Sequence, residues 1–292
     1  ADMTGIELIG RASARLDEAG VSFGQGTLNA FDEAAWLVLW SLGHPLDALD
    51  DVAARPVGVA DASRADALVD SRISTRQPAA YLTGEAWLQG VPFHVDARTI
   101  IPRSLIAECL AGGSIDVWLG THTHRVLDLC TGNGSLAVLA AMAWPEVEVV
   151  GADLSADALV VAAQNIARHG LQKRITLCCG DGLAATPGTF DLILCNPPYV
   201  NAGSMAALPP EFRAEPELAL AGGADGMDFI RHLLRDAPDH MTAAAVLVLE
   251  IGHERGHFET AFPTLEVVWL PTSAGDDQVL LVTREALQRL TP

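Results

Sequence analysis

The sequence predicts an α/β fold, with a seven-stranded, mostly parallel sheet preceded by a small helical domain and a β-hairpin. Three observations support this prediction. From residue 125 onward, short apolar runs alternate with helical patterns, as they do in parallel sheets. Residues 1–78 show helical periodicity and little strand signal, and residues 81–95 have a hairpin pattern with a turn near Gly90. The chain is therefore divided into a helical domain (1–78), a β-hairpin linker (79–103) and an α/β domain (104–292).

Three helices are expected in the N-terminal domain. Thr4 and Glu7 have the capping-box spacing, which opens a helix that runs to about residue 19. Residues 29–42 carry apolar side chains around most of a helix, which is typical of a buried one. Residues 61–76 give a third helix, because a proline follows shortly after them and cannot continue it.

Seven apolar runs are the predicted strands of the sheet. The first five are short and are separated by helical patterns, which is typical of strands covered on both faces. The last two form a closing pair. The predicted strands span about residues 125–130, 147–152, 174–179, 190–195, 245–251, 265–270 and 278–283.

A glycine-rich turn follows the first strand and leads directly into a helix at Ser135. Strand, glycine turn and helix together point backbone N–H groups at a ligand. Asp153 ends the next strand, 19 positions after Gly134, a spacing at which an acidic residue meets ribose hydroxyls. Asp128 lies within the apolar first strand and needs partners, for which the N–H groups of the turn are expected. The turn consists of Thr131, Gly132, Asn133 and Gly134. Its pattern also fits dinucleotide binding, so NAD remains an alternative ligand.

Asp181 and Gly182 follow the third strand. Because strand ends on this edge line the ligand crevice of a parallel sheet, Asp181 could accept a hydrogen bond from an adenine amino group. A simple turn aspartate is the equal alternative.

The fourth strand ends in Asn196-Pro197-Pro198-Tyr199. Two prolines remove two backbone donors and make the turn rigid. The turn then offers an amide oxygen, a free carbonyl and an aromatic face, which together suit a planar –NH2 group. We therefore predict that Asn196, Pro197 and Tyr199 are catalytic and that all four residues bind substrate.

Composition limits the classes of partner. A formal net charge of −19 argues against a surface that grips DNA or RNA and favours a basic or neutral partner. No apolar run is long enough to span a bilayer, the start of the chain has no secretory-signal pattern, and five cysteines lack the spacing of a zinc site. We expect a cytoplasmic protein without a membrane or metal requirement.

Two further carboxylates are given structural roles. Glu250 lies in the fifth strand, where we expect a structural hydrogen bond. Glu215 follows Arg213 in the long stretch after the Pro-Pro turn, and we expect the two to form a solvated ion pair.

The glycine turn, Asp153 and the NPPY sequence resemble the Rossmann-like class I methyltransferases, which use S-adenosylmethionine. The stretches YLTGEAWLQGVPFHVDARTIIPRS and EFRAEPELALAGGADGMDF narrow the resemblance to protein-glutamine methyltransferases, and it covers most of the chain. One branch of that family modifies class I peptide chain release factors, at the Gly-Gly-Gln loop. Another modifies the third protein of the large ribosomal subunit (L-three). Residues 104–108 depart from the release-factor pattern and favour the ribosomal-protein branch.

The resemblance implies a role for each candidate residue. The Asn196 side-chain oxygen and the Pro197 carbonyl would accept the two hydrogens of a glutamine amide, Tyr199 would pack on its face and Pro198 would shape the turn. The helical domain would recognise the protein substrate. The residues implied to bind S-adenosylmethionine, which becomes S-adenosylhomocysteine, are Asp128, Thr131, Gly132, Asn133, Gly134, Asp153, Asp181, Gly182 and Asn196.

The implied substrate is a free, basic ribosomal protein, reached before ribosomal RNA surrounds it. Three other functions remain open. An adenine-amino DNA or RNA methyltransferase would use the same turn, an NAD-dependent oxidoreductase would use the glycine turn alone, and a scaffold protein would bind the cofactor without transfer.

Overall fold

The computed structural model describes residues 2–290. Its N-terminal part is helical, and α1, α2 and α4 pack around a shared apolar core that includes Leu8, Leu37 and Val69. The capping box of Thr4 and Glu7 is present at the start of α1. The helices are α1 (Gly5–Ala19), α2 (Ala30–Ser41), α3 (Leu49–Val52), α4 (Val59–Thr75) and α5 (Ala79–Thr83).

An antiparallel hairpin follows, formed by β1 (Glu85–Leu88) and β2 (Val91–His94). Gln89 and Gly90 form its turn, both with positive φ. Such two-residue turns match the twist of the strands. The hairpin then leads through residues 95–105 to the α/β domain.

The α/β domain contains one seven-stranded sheet, which confirms the predicted fold class. The strands lie in the order β5-β4-β3-β6-β7-β9-β8; neighbours among the first five are parallel, and β9 runs antiparallel to both β7 and β8. They are β3 (Arg125–Leu129), β4 (Glu148–Asp153), β5 (Ile175–Cys179), β6 (Phe190–Cys195), β7 (Met241–Glu250), β8 (Val268–Thr272) and β9 (Gly275–Thr283).

Helices cover both faces of this sheet, and each face has its own apolar core. One core includes Leu136 of α7 and Ile106 of α6, and the other includes Ile230 and Leu234 of α11. The helices are α6 (Ile106–Gly112), α7 (Ser135–Ala143), α8 (Ala156–Arg168), α9 (Ala202–Ala206), α10 (Pro210–Arg213), α11 (Asp228–Asp236), α12 (Arg255–Ala261) and α13 (Arg284–Gln288).

The predicted strand bounds differ from the observed ones mainly at β7 and β9, which begin several residues earlier. Ala243 and Ala244 of β7 and Asp276 and Asp277 of β9 are exposed, so these strand starts have no apolar run to mark them. Strand β3 ends before Cys130, whose φ is +61°. Among residues 2–290 there is no helix with the length and apolar character needed to cross a bilayer.

Candidate active site

An open cavity lies at the carboxyl edge of the sheet, where the chain order changes direction between β3 and β6. Such switch points are where open α/β sheets bind ligands. The cavity encloses about 820 Å³ when the open solvent at its mouth is included. Six of the predicted site residues line it, namely Gly132, Asp153, Asp181, Gly182, Asn196 and Pro198.

Asp153 organises the floor of this cavity, which we call the cofactor cavity. Its Oδ2 accepts a hydrogen bond from the Gly132 N–H at 2.9 Å, and its Oδ1 accepts one from the Ser155 N–H at 2.9 Å. Burial raises the pKa of this carboxyl, and the hydrogen bonds oppose that rise. Gly132 has φ +55°, a conformation that lets the backbone turn under a ligand without a side chain in the way.

Four other predicted residues do not line the cofactor cavity, namely Asp128, Thr131, Asn133 and Gly134. Asp128 is buried, and its Oδ2 accepts hydrogen bonds from the Thr131 hydroxyl at 2.6 Å and the Ala137 N–H at 3.1 Å. The expectation that the N–H groups of the glycine turn pair with Asp128 is therefore wrong. The partners are one side chain of the turn and the first turn of α7, since the turn passes over the carboxylate. Burial raises the pKa of Asp128 to about 7.

The rest of the glycine turn contacts the hairpin and α8. Asn133 donates from Nδ2 to the His94 carbonyl at 3.3 Å, which links the turn to the hairpin. Gly134 has φ +81°, and a Cβ there would lie 3.2 Å from the Ala162 Cβ of α8. These two residues therefore support the cavity without lining it.

Several lining residues had no signal in the sequence. Arg98 comes from the segment after the hairpin, Leu218 from the stretch after the Pro-Pro turn, and Phe229 from α11. They reach the cavity only through the tertiary fold, so no local motif marks them.

A second cavity, of about 590 Å³ with its mouth included, adjoins the first. We call it the acceptor cavity. Ile100, Asn196 and Ala219 line both cavities. The acceptor cavity is otherwise lined by Arg103, Pro197, Tyr199, Val200, Leu208, Phe212 and Leu220.

Asn196 stands between the two cavities with an unsatisfied acceptor. Its Oδ1 is buried and has no hydrogen-bond partner among residues 2–290. Buried polar atoms are nearly always paired in folded proteins, so an acceptor left open at a cavity wall is suited to a donor on a ligand. A planar –NH2 group in the acceptor cavity would supply one.

Tyr199 is held by hydrogen bonding and by close backbone packing. Its hydroxyl donates to Glu250 Oε2 at 2.8 Å, while Glu250 Oε1 accepts from the Ser104 hydroxyl at 2.9 Å and the Leu105 N–H at 2.7 Å. Burial raises the pKa of Tyr199 well above its usual range, so the phenol stays protonated as the donor. The structural hydrogen bonds expected of Glu250 are present, and one of them orients the aromatic ring of the site.

Three glycines surround Tyr199. A Cβ at Gly252 would lie 2.4 Å from the Tyr199 ring, one at Gly226 would lie 2.2 Å from the Tyr199 carbonyl oxygen, and one at Gly222 would lie 2.8 Å from the Tyr199 Cα. Any side chain at these positions would therefore displace the tyrosine.

The expected Arg213–Glu215 ion pair is wrong. Arg213 is exposed and donates to the Ala206 carbonyl at 3.3 Å. Glu215 is buried and pairs instead with Arg103, from the segment before α6. Pairing between segments more than 100 positions apart leaves no trace in local sequence, which is why it could not be predicted.

Residues 2–290 contain no group of three or more His, Cys, Asp or Glu side chains that could hold a metal ion. The polar groups at the two cavities include the Asn196 amide, the Tyr199 phenol, the carboxylates of Asp153 and Asp181 and the guanidinium groups of Arg98 and Arg103.

Comparisons with known proteins show the family of this chain. Residues 115–215 match the family model described as "Methyltransferase small domain". A "Ribosomal protein uL3 glutamine methyltransferase" of Bordetella pertussis is 54% identical, covering 96% of this chain and 95% of that protein. Proteins of the same description from Burkholderia pseudomallei and Bradyrhizobium diazoefficiens are 48% and 43% identical, covering 94% and 96% of this chain and 93% and 90% of theirs.

Solved structures support the fold alone. The hMettl16 catalytic domain, in complex with the MAT2A 3'UTR hairpin 1, superposes with a TM-score of 0.51 at 14% identity, covering 81% of this chain and 84% of that one. At 14% identity this likeness concerns the fold and carries no information on substrate.

Proposed function

This chain belongs to the family of ribosomal protein uL3 glutamine methyltransferases, and from that premise we propose that it methylates the side-chain amide nitrogen of a glutamine in uL3. The observation that carries the proposal is the buried, unpartnered Oδ1 of Asn196 at the junction of the two cavities. That atom requires a donor, and the amide –NH2 of glutamine is a donor of the right shape.

The residues of the cofactor cavity fit S-adenosylmethionine. Asp153 presents a carboxylate at the cavity floor for ribose hydroxyls, Gly132 allows close approach to the backbone, and Asp181 stands at the cavity wall for an adenine amine. When bound, S-adenosylmethionine supplies a methyl group on a sulfonium, already activated for transfer, and leaves as S-adenosylhomocysteine. Four predicted residues would support the cofactor indirectly, by stabilising the conformation of the glycine turn: Asp128, Thr131, Asn133 and Gly134. Gly182 lines the cofactor cavity beside Asp181.

The acceptor cavity would fix the plane of the glutamine amide. The amide nitrogen is a weak nucleophile because its lone pair is delocalised into the carbonyl. Asn196 Oδ1 and the Pro197 carbonyl would accept its two hydrogens, which orients the nitrogen and favours the positive charge that grows there. Tyr199 would pack on the amide face, and Pro198 keeps the turn rigid. No strong base is needed, since the methylated nitrogen loses its extra proton readily to water.

Charge supports a free, basic protein as the substrate. The formal net charge of −19 attracts a basic ribosomal protein and repels assembled ribosomal RNA. We therefore propose action before subunit assembly, in the cytoplasm, without stable nucleic-acid or membrane binding. The helical domain (1–78) would engage the substrate beyond the glutamine, next to the hairpin linker (79–103) and the methyltransferase domain (104–292).

The test is methyl transfer from labelled S-adenosylmethionine to unmethylated uL3 and unmethylated release factor, side by side, with the label mapped by mass spectrometry. Label on a glutamine of uL3 alone supports the proposal. Label on the release factor alone would keep the chemistry and overturn the substrate. Label on neither protein would overturn the proposal, and transfer to DNA or RNA would then identify an adenine-amino methyltransferase.

A further inference from the structure

The carboxylate of Glu215 gathers four hydrogen-bond donors from distant parts of the chain. Its Oε2 accepts from the Ile101 N–H at 2.9 Å and from Arg103 Nη1 at 2.8 Å. Its Oε1 accepts from Arg103 Nη2 at 2.9 Å and from Gln25 Nε2 at 2.7 Å. A buried carboxylate is tolerated only when it is paired and hydrogen-bonded, and this one is fully coordinated. We call Gln25, Ile101, Arg103 and Glu215 the clamp.

A second buried carboxylate, four residues earlier in the same segment, also accepts hydrogen bonds from the helical domain. Glu211 Oε1 accepts from the Ser22 N–H at 3.1 Å and from Arg72 Nη1 at 3.2 Å. The fully buried Arg72 also donates to Glu33 Oε2 at 3.0 Å, so its charge is held by two carboxylates. Gln25 Nε2 also donates a hydrogen bond to the Glu211 carbonyl at 3.2 Å. Gln25 therefore links both Glu211 and Glu215 to the helical domain.

The segment held in this way forms a wall of the acceptor cavity. Leu208, Phe212, Ala219 and Leu220 all line it, and Glu215 lies between them in the chain. Arg103 lines the same cavity with its guanidinium carbon 5.5 Å from the centre of the Phe212 ring. The position of this wall relative to Asn196 therefore depends on the clamp.

The side chains of the clamp lie away from the cofactor cavity. Gln25, Arg103 and Glu215 are absent from its lining, whereas Arg103 lines the acceptor cavity. The held segment itself borders both cavities, since its Pro216, Leu218 and Ala219 line the cofactor cavity. The acceptor cavity is expected to change more, because the clamp side chain of Arg103 lies in its wall.

We propose that Glu215 is a positioning residue for the acceptor glutamine, acting through Arg103 and through Gln25 of the helical domain. This inference rests on the proposed function for its substrate. Glu215 holds the segment at residues 208–220 at a distance from Asn196 that leaves room for a glutamine side chain to reach it. Because Gln25 belongs to the helical domain, this distance also depends on that domain. The helical domain then contributes to the geometry of the site as well as to recognition.

The test compares Glu215→Gln with Glu217→Gln, the same chemical change at an exposed position two residues away. We expect Glu215→Gln to raise KM for uL3 and lower kcat/KM by about tenfold or more, since it removes charge-assisted hydrogen bonds. Its Kd for S-adenosylmethionine, measured by calorimetry, should rise by a smaller factor than KM for uL3, because none of the clamp side chains lines the cofactor cavity. Glu217→Gln should match the unmodified enzyme in both.

Gln25→Ala provides a milder variant, because it leaves the Arg103–Glu215 pair intact and therefore folds even where Glu215→Gln does not. We expect it to raise KM for uL3 by about threefold to tenfold, because it removes the hydrogen bonds from Gln25 Nε2 to the Glu215 carboxylate and to the Glu211 carbonyl. Combined with Glu215→Gln it should add little, because the two side chains act as one unit.

Two results would overturn the proposal. One is unchanged KM and kcat in both Gln25→Ala and Glu215→Gln. The other is a loss of cofactor affinity and of thermal stability as large as the loss of activity, which a merely structural role would give.

If the unmodified enzyme transfers no methyl group to uL3, the proposed function fails on its own. Amide hydrogen exchange over residues 208–220 then decides on the clamp. Faster exchange in Glu215→Gln than in Glu217→Gln supports a clamp that sets the wall, and equal exchange overturns it.

Discussion

The two cavities of this protein are built in opposite ways. The floor of the cofactor cavity comes from turns that directly follow β3, β4 and β5, and each of its groups lies within a few residues of a strand end. The acceptor cavity comes from the segment before α6, the turn after β6 and the stretch at 208–220, held by buried charges from the helical domain. Local backbone geometry therefore shapes the floor of the cofactor cavity. Long-range contacts hold the stretch at 208–220, which lines the acceptor cavity and also adds Leu218 and Ala219 to the cofactor cavity.

This difference matches the different requirements of binding a common cofactor and binding one particular protein substrate. A cofactor shared by many enzymes can be held by a turn that forms within one strand–turn–helix unit. A protein substrate requires a surface that only the complete tertiary structure provides. Mutations should accordingly affect the two cavities through different kinetic parameters, and four variants test whether they do.

The largest effect is expected at Asn196, which belongs to both cavities. Asn196→Ala removes the acceptor for the amide hydrogen, and we expect kcat to fall roughly 100-fold to 1,000-fold, as for loss of one preorganised hydrogen-bonding group at a reacting centre. Asn201→Ala is the control, since the Asn201 amide caps α9 and lines neither cavity. Near-normal turnover in Asn196→Ala would contradict the proposed mechanism.

The next effect is confined to the acceptor cavity. Gly252→Ala would place a Cβ 2.4 Å from the Tyr199 ring at φ +57°. We expect a loss of kcat/KM of roughly 10-fold to 100-fold, because small displacements of a positioning group are costly, with cofactor affinity retained. Gly256→Ala, where a Cβ meets nothing within 4 Å, should leave steady-state kinetics unchanged. Equal kinetics in the two variants would show that the ring position has no role.

A smaller effect is expected on the cofactor side. Asp153→Asn replaces one of the two oxygens that accept the Gly132 and Ser155 N–H groups by an amide donor. We expect the Kd for S-adenosylmethionine to rise about tenfold, the effect of losing charge-assisted hydrogen bonds, with KM for uL3 nearly constant. The exposed Asp157, in the first turn of α8, gives the control Asp157→Asn. A rise in KM for uL3 instead of in Kd would remove the contrast between the cavities.

The smallest effect concerns stability and pH. Burial raises the pKa of Asp128 to about 7 from 3.8, so the folded protein holds a proton there that the unfolded chain has released. The stabilising contribution of Asp128 to the free energy of unfolding is fully present below the unfolded pKa, at about pH 4. It is lost as the pH rises through the folded pKa of about 7. We expect Asp128→Asn, which stays neutral, to remove that slope of at most about 1.4 kcal/mol per pH unit. Denaturant unfolding of both proteins between pH 5 and 8 checks it; parallel stability curves would contradict the assignment.

The contrast also explains what could be predicted from sequence. The seven strands, the glycine turn, Asp153 and the NPPY turn are signalled by residues close together in the chain, and the fold class was confirmed. Glu215 gave the opposite result: the basic residue nearest to it in sequence, Arg213, donates to the Ala206 carbonyl instead, and its partner Arg103 lies 112 positions away. Gly222 and Gly226 likewise occupy a loop where glycine has no evident local reason. Long-range pairing of this kind is decided by packing, which no local pattern encodes.

The glycines around Tyr199 have a consequence for protein engineering. Because the three neighbours that lie against the Tyr199 ring and backbone are glycines, none of them can be truncated to enlarge the acceptor cavity. Variants that accept bulkier amides are therefore expected at Leu208 or Phe212, two lining residues with side chains that can be shortened. A library restricted to those two positions would explore new acceptors while leaving the tyrosine and its supports untouched.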